Sequence, residues 1–206
     1  MSKFNELVDS SVLSNAVNNL KSNGFLVEIA ETKSEALEKI KSMIPGGSSV
    51  MNGSSTTLNQ IGFVEYLKEG KHGWNNLHAN ILAETDKEKQ AKLRKESILS
   101  DFYLGSAHAV SQTGEVLIAS ATGSQLPHLV FTSQNIILVV STKKIAKDFS
   151  EAVTRIEEHV VPLEDERMKS VGYPGTVYSK LLVLRSEPAM MGRKVTILFV
   201  KEDLGF

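Results

Sequence analysis

A chain of 206 residues with 41% hydrophobic and 23% charged side chains carries enough apolar material for one buried core without disulfide or metal staples. It has no cysteine, which excludes disulfide frameworks, thiolate nucleophiles, iron–sulfur ligation and Cys-rich zinc sites within the chain. The formal charge of −1 provides no basic excess for nucleic acid, the opening Met1-Ser2-Lys3-Phe4-Asn5-Glu6 is too polar for a signal peptide, and no apolar run reaches bilayer length. The expected setting is the cytoplasm, with neither nucleic acid nor membrane as partner.

In chain order, Leu13, Ala16, Val17 and Leu20 recur at helical spacing until the stop signal Asn23-Gly24, and residues 25–29 then read as a strand. Thr32 and Glu35 have capping-box spacing. Ala36, Leu37, Ile40, Met43 and Ile44 line the helix that follows, which Pro45-Gly46-Gly47 ends. Ser49-Val50-Met51 is a short strand, residues 58–68 read as a helix, 69–76 as a loop and 86–100 as an exposed helix. Residues 102–104, 116–119 and 136–140 are short apolar strands of the kind covered on both faces. Ser141-Thr142 can cap a helix whose stripe is Ile145, Phe149, Ala152, Val153, Ile156 and Val160, and residues 181–184 and 195–200 are two late strands.

This alternation predicts an α/β protein, one domain over residues 1–206, with helices on both faces of a mainly parallel sheet to which the late strands could add antiparallel. Val50, Leu104, Ile118 and Val139 are expected in one sheet, with Phe149, Val153 and Ile156 packed over it.

Two hydroxyl-rich turns follow strand-like runs. Gly53-Ser54-Ser55-Thr56 comes after residues 49–51, and Thr122-Gly123-Ser124 comes after residues 116–119. Their small side chains leave backbone N–H groups open to close approach, and their hydroxyls add donors, so together they predict one cradle for a small anion. Each is equally the ordinary start of a capped helix. His108, between Gly105-Ser106 and Gln112, can serve as acid/base, anion ligand or loop fastener, whereas His128 reads as structural. His72 and His78 lack metal-ligand spacing, so no metal is expected, and no cofactor fingerprint is present. Arg193 can neutralise a phosphate or carboxylate, or form a surface ion pair.

The segments GSSTTLNQIG (53–62), DFYLGSAHAVSQTG (101–114), EVLIASATGSQLP (115–127) and GRKVTILFVKEDLGF (192–206) together resemble the LUD domain family, the lactate-utilisation proteins of LutC/YkgG type. The resemblance implies a three-layer α/β/α sandwich of the NagB/RpiA/CoA transferase-like fold. It also implies a non-redox role in lactate or related organic-acid utilisation, with iron–sulfur and oxidoreductase subunits as partners. The cysteine-rich segment of some LUD proteins has no counterpart in residues 171–191. Against the Ser-Glu-Asn-Gly motif of CoA transferases, Ser111-Gln112-Thr113-Gly114 places an amide where the nucleophilic carboxylate would lie, and Glu115 falls three positions later.

The expected catalytic residues are therefore His108 and Glu115. The expected ligand-binding residues are Gly53, Ser54, Ser55, Thr56, Gly105, Gln112, Thr122, Gly123, Ser124 and Arg193. A stand-alone enzyme on a phosphosugar-isomerase-like scaffold, acting on a phosphorylated or carboxylated small molecule, is the alternative. The oligomeric state stays open, a homo-oligomer included.

Overall fold

The structure, a computed structural model, describes residues 3–206, so Met1 and Ser2 lie outside the described residues. The elements run, in order, α1 (Ser10–Ser22), β1 (Leu26–Ala30), α2 (Lys33–Met43), β2 (Ser49–Asn52), α3 (Thr56–Gln60), α4 (Phe63–Glu69), β3 (Asn75–Asn76), α5 (Leu77–Ala83), α6 (Lys87–Glu96), β4 (Phe102–Gly105), β5 (Ala109–Ser111), β6 (Val116–Ser120), β7 (Asn135–Ser141), β8 (Ile145–Ala146), α7 (Phe149–Arg155), α8 (Val161–Ser170), β9 (Lys180–Leu184) and β10 (Lys194–Val200).

Six strands form one sheet in the order β1-β10-β7-β4-β2-β3, every pair of them parallel. The period-2 alternation of its central strands sorts their side chains between the two faces. Ile136, Leu138 and Val140 of β7, with Val195, Ile197 and Phe199 of β10, pack with Leu13, Ala16 and Leu20 of α1. Ile137 and Val139, with Leu198 and Val200, pack on the other face with Ile40 of α2, Leu58 of α3 and Phe63 of α4. Helices thus cover both faces, giving the α/β/α sandwich.

A second sheet, ordered β8-β5-β6-β9, departs from the main one after β4. Its β6 alternates in the same way. Val116 and Ile118 face the α1 core, while Leu117 faces Ala152 and Ile156 on the helix that begins at α7. This corrects one expectation. Val50, Leu104 and Val139 share the six-stranded sheet, but Ile118 belongs to the second sheet, and Phe149, Val153 and Ile156 pack over that sheet. Of the late strands, β10 is parallel within the main sheet and β9 pairs antiparallel with β6.

Two helix boundaries also differ from the sequence reading. Residues 58–68 contain a break, because Gly62 takes the left-handed conformation at φ 81° and separates α3 from α4. The helix expected to start at Ser141-Thr142 starts instead at Asp148, whose side chain accepts from Glu151 N–H. Ile145 and Ala146 are drawn into pairing with β5. From Phe149 the helical path runs on to Ser170, with one wide π turn over Ile156–Val160 just ahead of Pro162. A proline lacks the N–H that would continue the ordinary ladder there.

Candidate functional site

Loops leaving the carboxyl ends of β2, β4 and β7 enclose, with the end of β6, a cavity of about 480 Å³. Open α/β sheets place ligands at this end, where neighbouring connections diverge. Gly53 to Thr57 form one wall after β2, Gly105 to His108 follow β4, Lys144 follows β7, and Ser120 to Thr122 with Ser124 and Gln125 follow β6. Val160, Val161, Glu164, Arg167 and Met168 from the long helix, and Tyr173, Val177 and Tyr178 beyond it, add a largely apolar side. Gly205 and Phe206 also line it.

The two hydroxyl-rich turns therefore meet on one cavity. Ser54 and Ser124 are exposed there, whereas Ser55 spends its hydroxyl accepting from Leu58 N–H as the N-cap of α3. Thr122 is similarly engaged locally, its hydroxyl accepting from Ser124 N–H at 3.3 Å. Gly123 itself is set back and donates its N–H to Ser120 Oγ at 2.9 Å. Close packing explains the glycine at 53, since a Cβ there would lie 2.5 Å from the hydroxyl of Tyr103.

His108 is fixed as a single tautomer. Its Nδ1 accepts from Ala119 N–H at 3.1 Å, so the ring proton resides on Nε2. Burial, with the nearby charges of Lys144 and Arg155, pushes its pKa down to about 3, which keeps the ring neutral throughout the physiological range. A neutral imidazole whose N–H faces a cavity is a hydrogen-bond donor rather than a cation.

Sequence reasoning missed Lys144. Its side chain is buried, and Nζ lies 3.0 Å from Thr57 Oγ1, 3.2 Å from Ser106 Oγ and 3.4 Å from the Ala107 carbonyl. None of these partners is a carboxylate. Burial and the neighbouring Arg155 and Lys143 hold its pKa well below the ordinary lysine range. Arg155, behind it, is fully buried and donates Nη1–H to the His108 carbonyl at 2.7 Å. Its Nε and Nη2 have no hydrogen-bond partner among the described residues. The floor of the cavity thus combines the His108 and Lys144 donors with a guanidinium behind them that has no carboxylate partner among the described residues.

Other expected site residues lie elsewhere. Glu115 is held by Ser111, by Thr113 and by Arg185 at 3.1 Å, in the β5–β6 hairpin away from the cavity. Gln112 uses its backbone, donating to Ala146 and accepting from the Asn19 side chain at 2.7 Å. Arg193 is buried, donates to the Leu129 carbonyl at 2.8 Å and lies 3.4 Å from Glu187. None of these three lines the cavity. His128 bonds Ser133 and Ser100 and stacks on Tyr103 at 4.5 Å, a packing role. Among the described residues there is no cluster of acidic and histidine side chains able to hold a metal, and no helix is long and apolar enough to cross a membrane.

Fold and cavity together define an α/β protein with a cleft at the carboxyl edge of a parallel sheet. The model of the LUD domain matches residues 13–200, and the chain belongs to that family. A solved DUF162 family protein from Deinococcus radiodurans shares the fold, with a TM-score of 0.57 at 14% identity over 95% of this chain and 99% of that one. None of the curated proteins matches the chain.

Proposed function

We propose that the protein is a non-redox component of lactate or related organic-acid utilisation and that it binds a small carboxylate in the cavity between the two sheets. Membership of the LUD family supports the metabolic setting. The observation that carries the ligand class is the convergence of Ser54, Thr56 and Ser124 on one cavity whose floor holds Lys144 and the His108 ring, with Arg155, which has no carboxylate partner among the described residues, behind. Such a site offers donors and positive potential and little that repels an anion except Glu164, which is committed to Arg167 through two hydrogen bonds of 2.7 and 2.6 Å. Oxidation of the substrate would fall to iron–sulfur and oxidoreductase partner subunits, because the chain has no thiolate with which to ligate such a centre.

A thermal-shift titration with lactate, pyruvate, sugar phosphates and CoA esters tests this reading. A ligand that binds only the folded state raises Tm with concentration. Lactate or pyruvate should do so in the wild type and not in Ser124→Phe, which fills the cavity from an exposed turn and should leave the unliganded Tm within a few degrees. Stabilisation by sugar phosphates alone would favour the isomerase-like alternative, and no stabilisation by any carboxylate would remove the proposal.

A further inference from the structure

Lys144 is the one side chain of the cavity whose surroundings are hard to reconcile with the ordinary state of its kind. A surface lysine is a hydrated cation, and a buried one normally has a carboxylate beside it. Here the residue is 3% exposed, and its amine has only hydroxyl and carbonyl oxygens within hydrogen-bond reach among the described residues and shares its neighbourhood with Arg155 and Lys143. Lys143 is itself neutralised by Asp203, which leaves that carboxylate engaged with the other lysine. These are the two conditions, exclusion of water and adjacent positive charge, that disfavour the protonated form of a lysine amine.

We propose that Lys144 is a nucleophile that condenses with the carbonyl group of a small 2-oxo acid held in the cavity. The Nζ lone pair attacks the carbonyl carbon and a C–N bond forms. Both amine protons pass to the former carbonyl oxygen, which leaves as water, and the resulting imine takes one proton from solvent to become an iminium. The step requires no oxidant or reductant. His108 Nε2–H is suited to hydrogen-bond the carbonyl oxygen as charge develops on it, and the Thr57 and Ser106 hydroxyls orient the amine. The ligand's own carboxylate then offsets the iminium charge. The inference rests on the proposed carboxylate site and extends it from binding to covalent capture.

The experiment is borohydride trapping. Protein incubated with pyruvate at pH 7 and reduced with sodium borohydride should carry one adduct, located on Lys144 by peptide mass mapping. Labelling there should exceed that at the exposed Lys68 and Lys92 by roughly tenfold or more. Lys144→Met should lose that adduct. Should this variant fail to fold, the wild-type map alone decides, because it compares Lys144 with surface lysines in the same molecule. Labelling confined to surface lysines, or no labelling, overturns the proposal. Lactate has no carbonyl, so stabilisation by lactate without an adduct from pyruvate leaves carboxylate binding intact and overturns only the nucleophile. An adduct at Lys144 without stabilisation by lactate supports the nucleophile and counts against a general carboxylate site.

Discussion

A lysine and a glycine that meet at the cavity floor show how differently single residues can be read. Lys143-Lys144 looks in sequence like a solvated basic pair, because nothing local says that the turn after β7 points inward. The signal that could have found Lys144 is three-dimensional, namely Thr57, Ser106 and Ala107 arriving from two other strands. The hydroxyl-rich turns, by contrast, stand out in sequence as small polar residues straight after apolar runs, a pattern that equally marks a helix start, as Ser55 capping α3 shows. Gly205 is explained only by its neighbours. A Cβ there would lie 2.3 Å from Thr57 Oγ1 and 2.7 Å from Lys144 Nζ, and its φ of +67° strains any other residue. Gly205→Ala should therefore lower stability by about 1–3 kcal/mol in urea denaturation. Gly46→Ala, where nothing lies within 4 Å of the added methyl, should change it by less than about 0.5 kcal/mol.

Among elements, those with one strong periodicity were read correctly and those that share residues with a neighbour were not. The apolar faces of α1 and α2, and the continuous apolar runs of β7 and β10, are set by local sequence and match their burial. The start of α7 was placed too early because Ser141-Thr142 is competent to cap and Ile145 fits the helical stripe. Pairing of Ile145 and Ala146 with β5 outweighs that local preference. The true start has its own signature in Asp148 and Glu151. Asp148 accepts from Glu151 N–H at 2.9 Å, while Glu151 reaches back to Lys147 N–H at 2.7 Å. Asp148→Ala should cost about 1 kcal/mol by chemical denaturation and raise amide exchange in the first turn of α7. An unchanged midpoint would mean that packing against the second sheet alone fixes this end.

At the scale of the molecule, His108 on the cavity wall and the buried His128 make stability depend on acidity, and His159, its pKa also lowered by burial, acts in the same direction. The pKa of His108 lies near 3 and that of His128 near 4, both lowered chiefly by burial, against 6.5 in an unfolded chain. Above pH 6.5 neither state is protonated and they contribute no pH dependence. Below it the unfolded chain takes up protons that the fold refuses, so stability falls with pH until the folded values are reached. Each histidine costs on the order of 1.4 kcal/mol for each pH unit crossed in that window. Asp101, whose pKa is lowered by hydrogen bonds from Ser49, adds a loss of the same sign at lower pH, beginning near its ordinary value of 3.8. Urea midpoints should thus decline from pH 6.5 to pH 4.5, with a shallower slope in His108→Gln. A flat profile would place both rings in contact with solvent. The expectation of Ile118 in the main sheet belongs to this scale too, since a continuous apolar run shows that a strand has two covered faces without showing which sheet it joins.

The strand order carries a consequence for how the protein is made. β10 lies between β1 and β7, although more than half the sequence separates it from β1. Until residues 194–200 are available, β1 has no strand partner and β7 presents an unpaired apolar edge, so the sheet cannot close in the order of synthesis. Native contacts of such long sequence separation form slowly, and an open edge of that kind is an invitation to pair with another chain. The growing polypeptide therefore depends on the open β7 edge being shielded until β10 arrives, although α1 can already pack on Ile136, Leu138 and Val140 of β7. Chaperone dependence should be concentrated in that late window of translation.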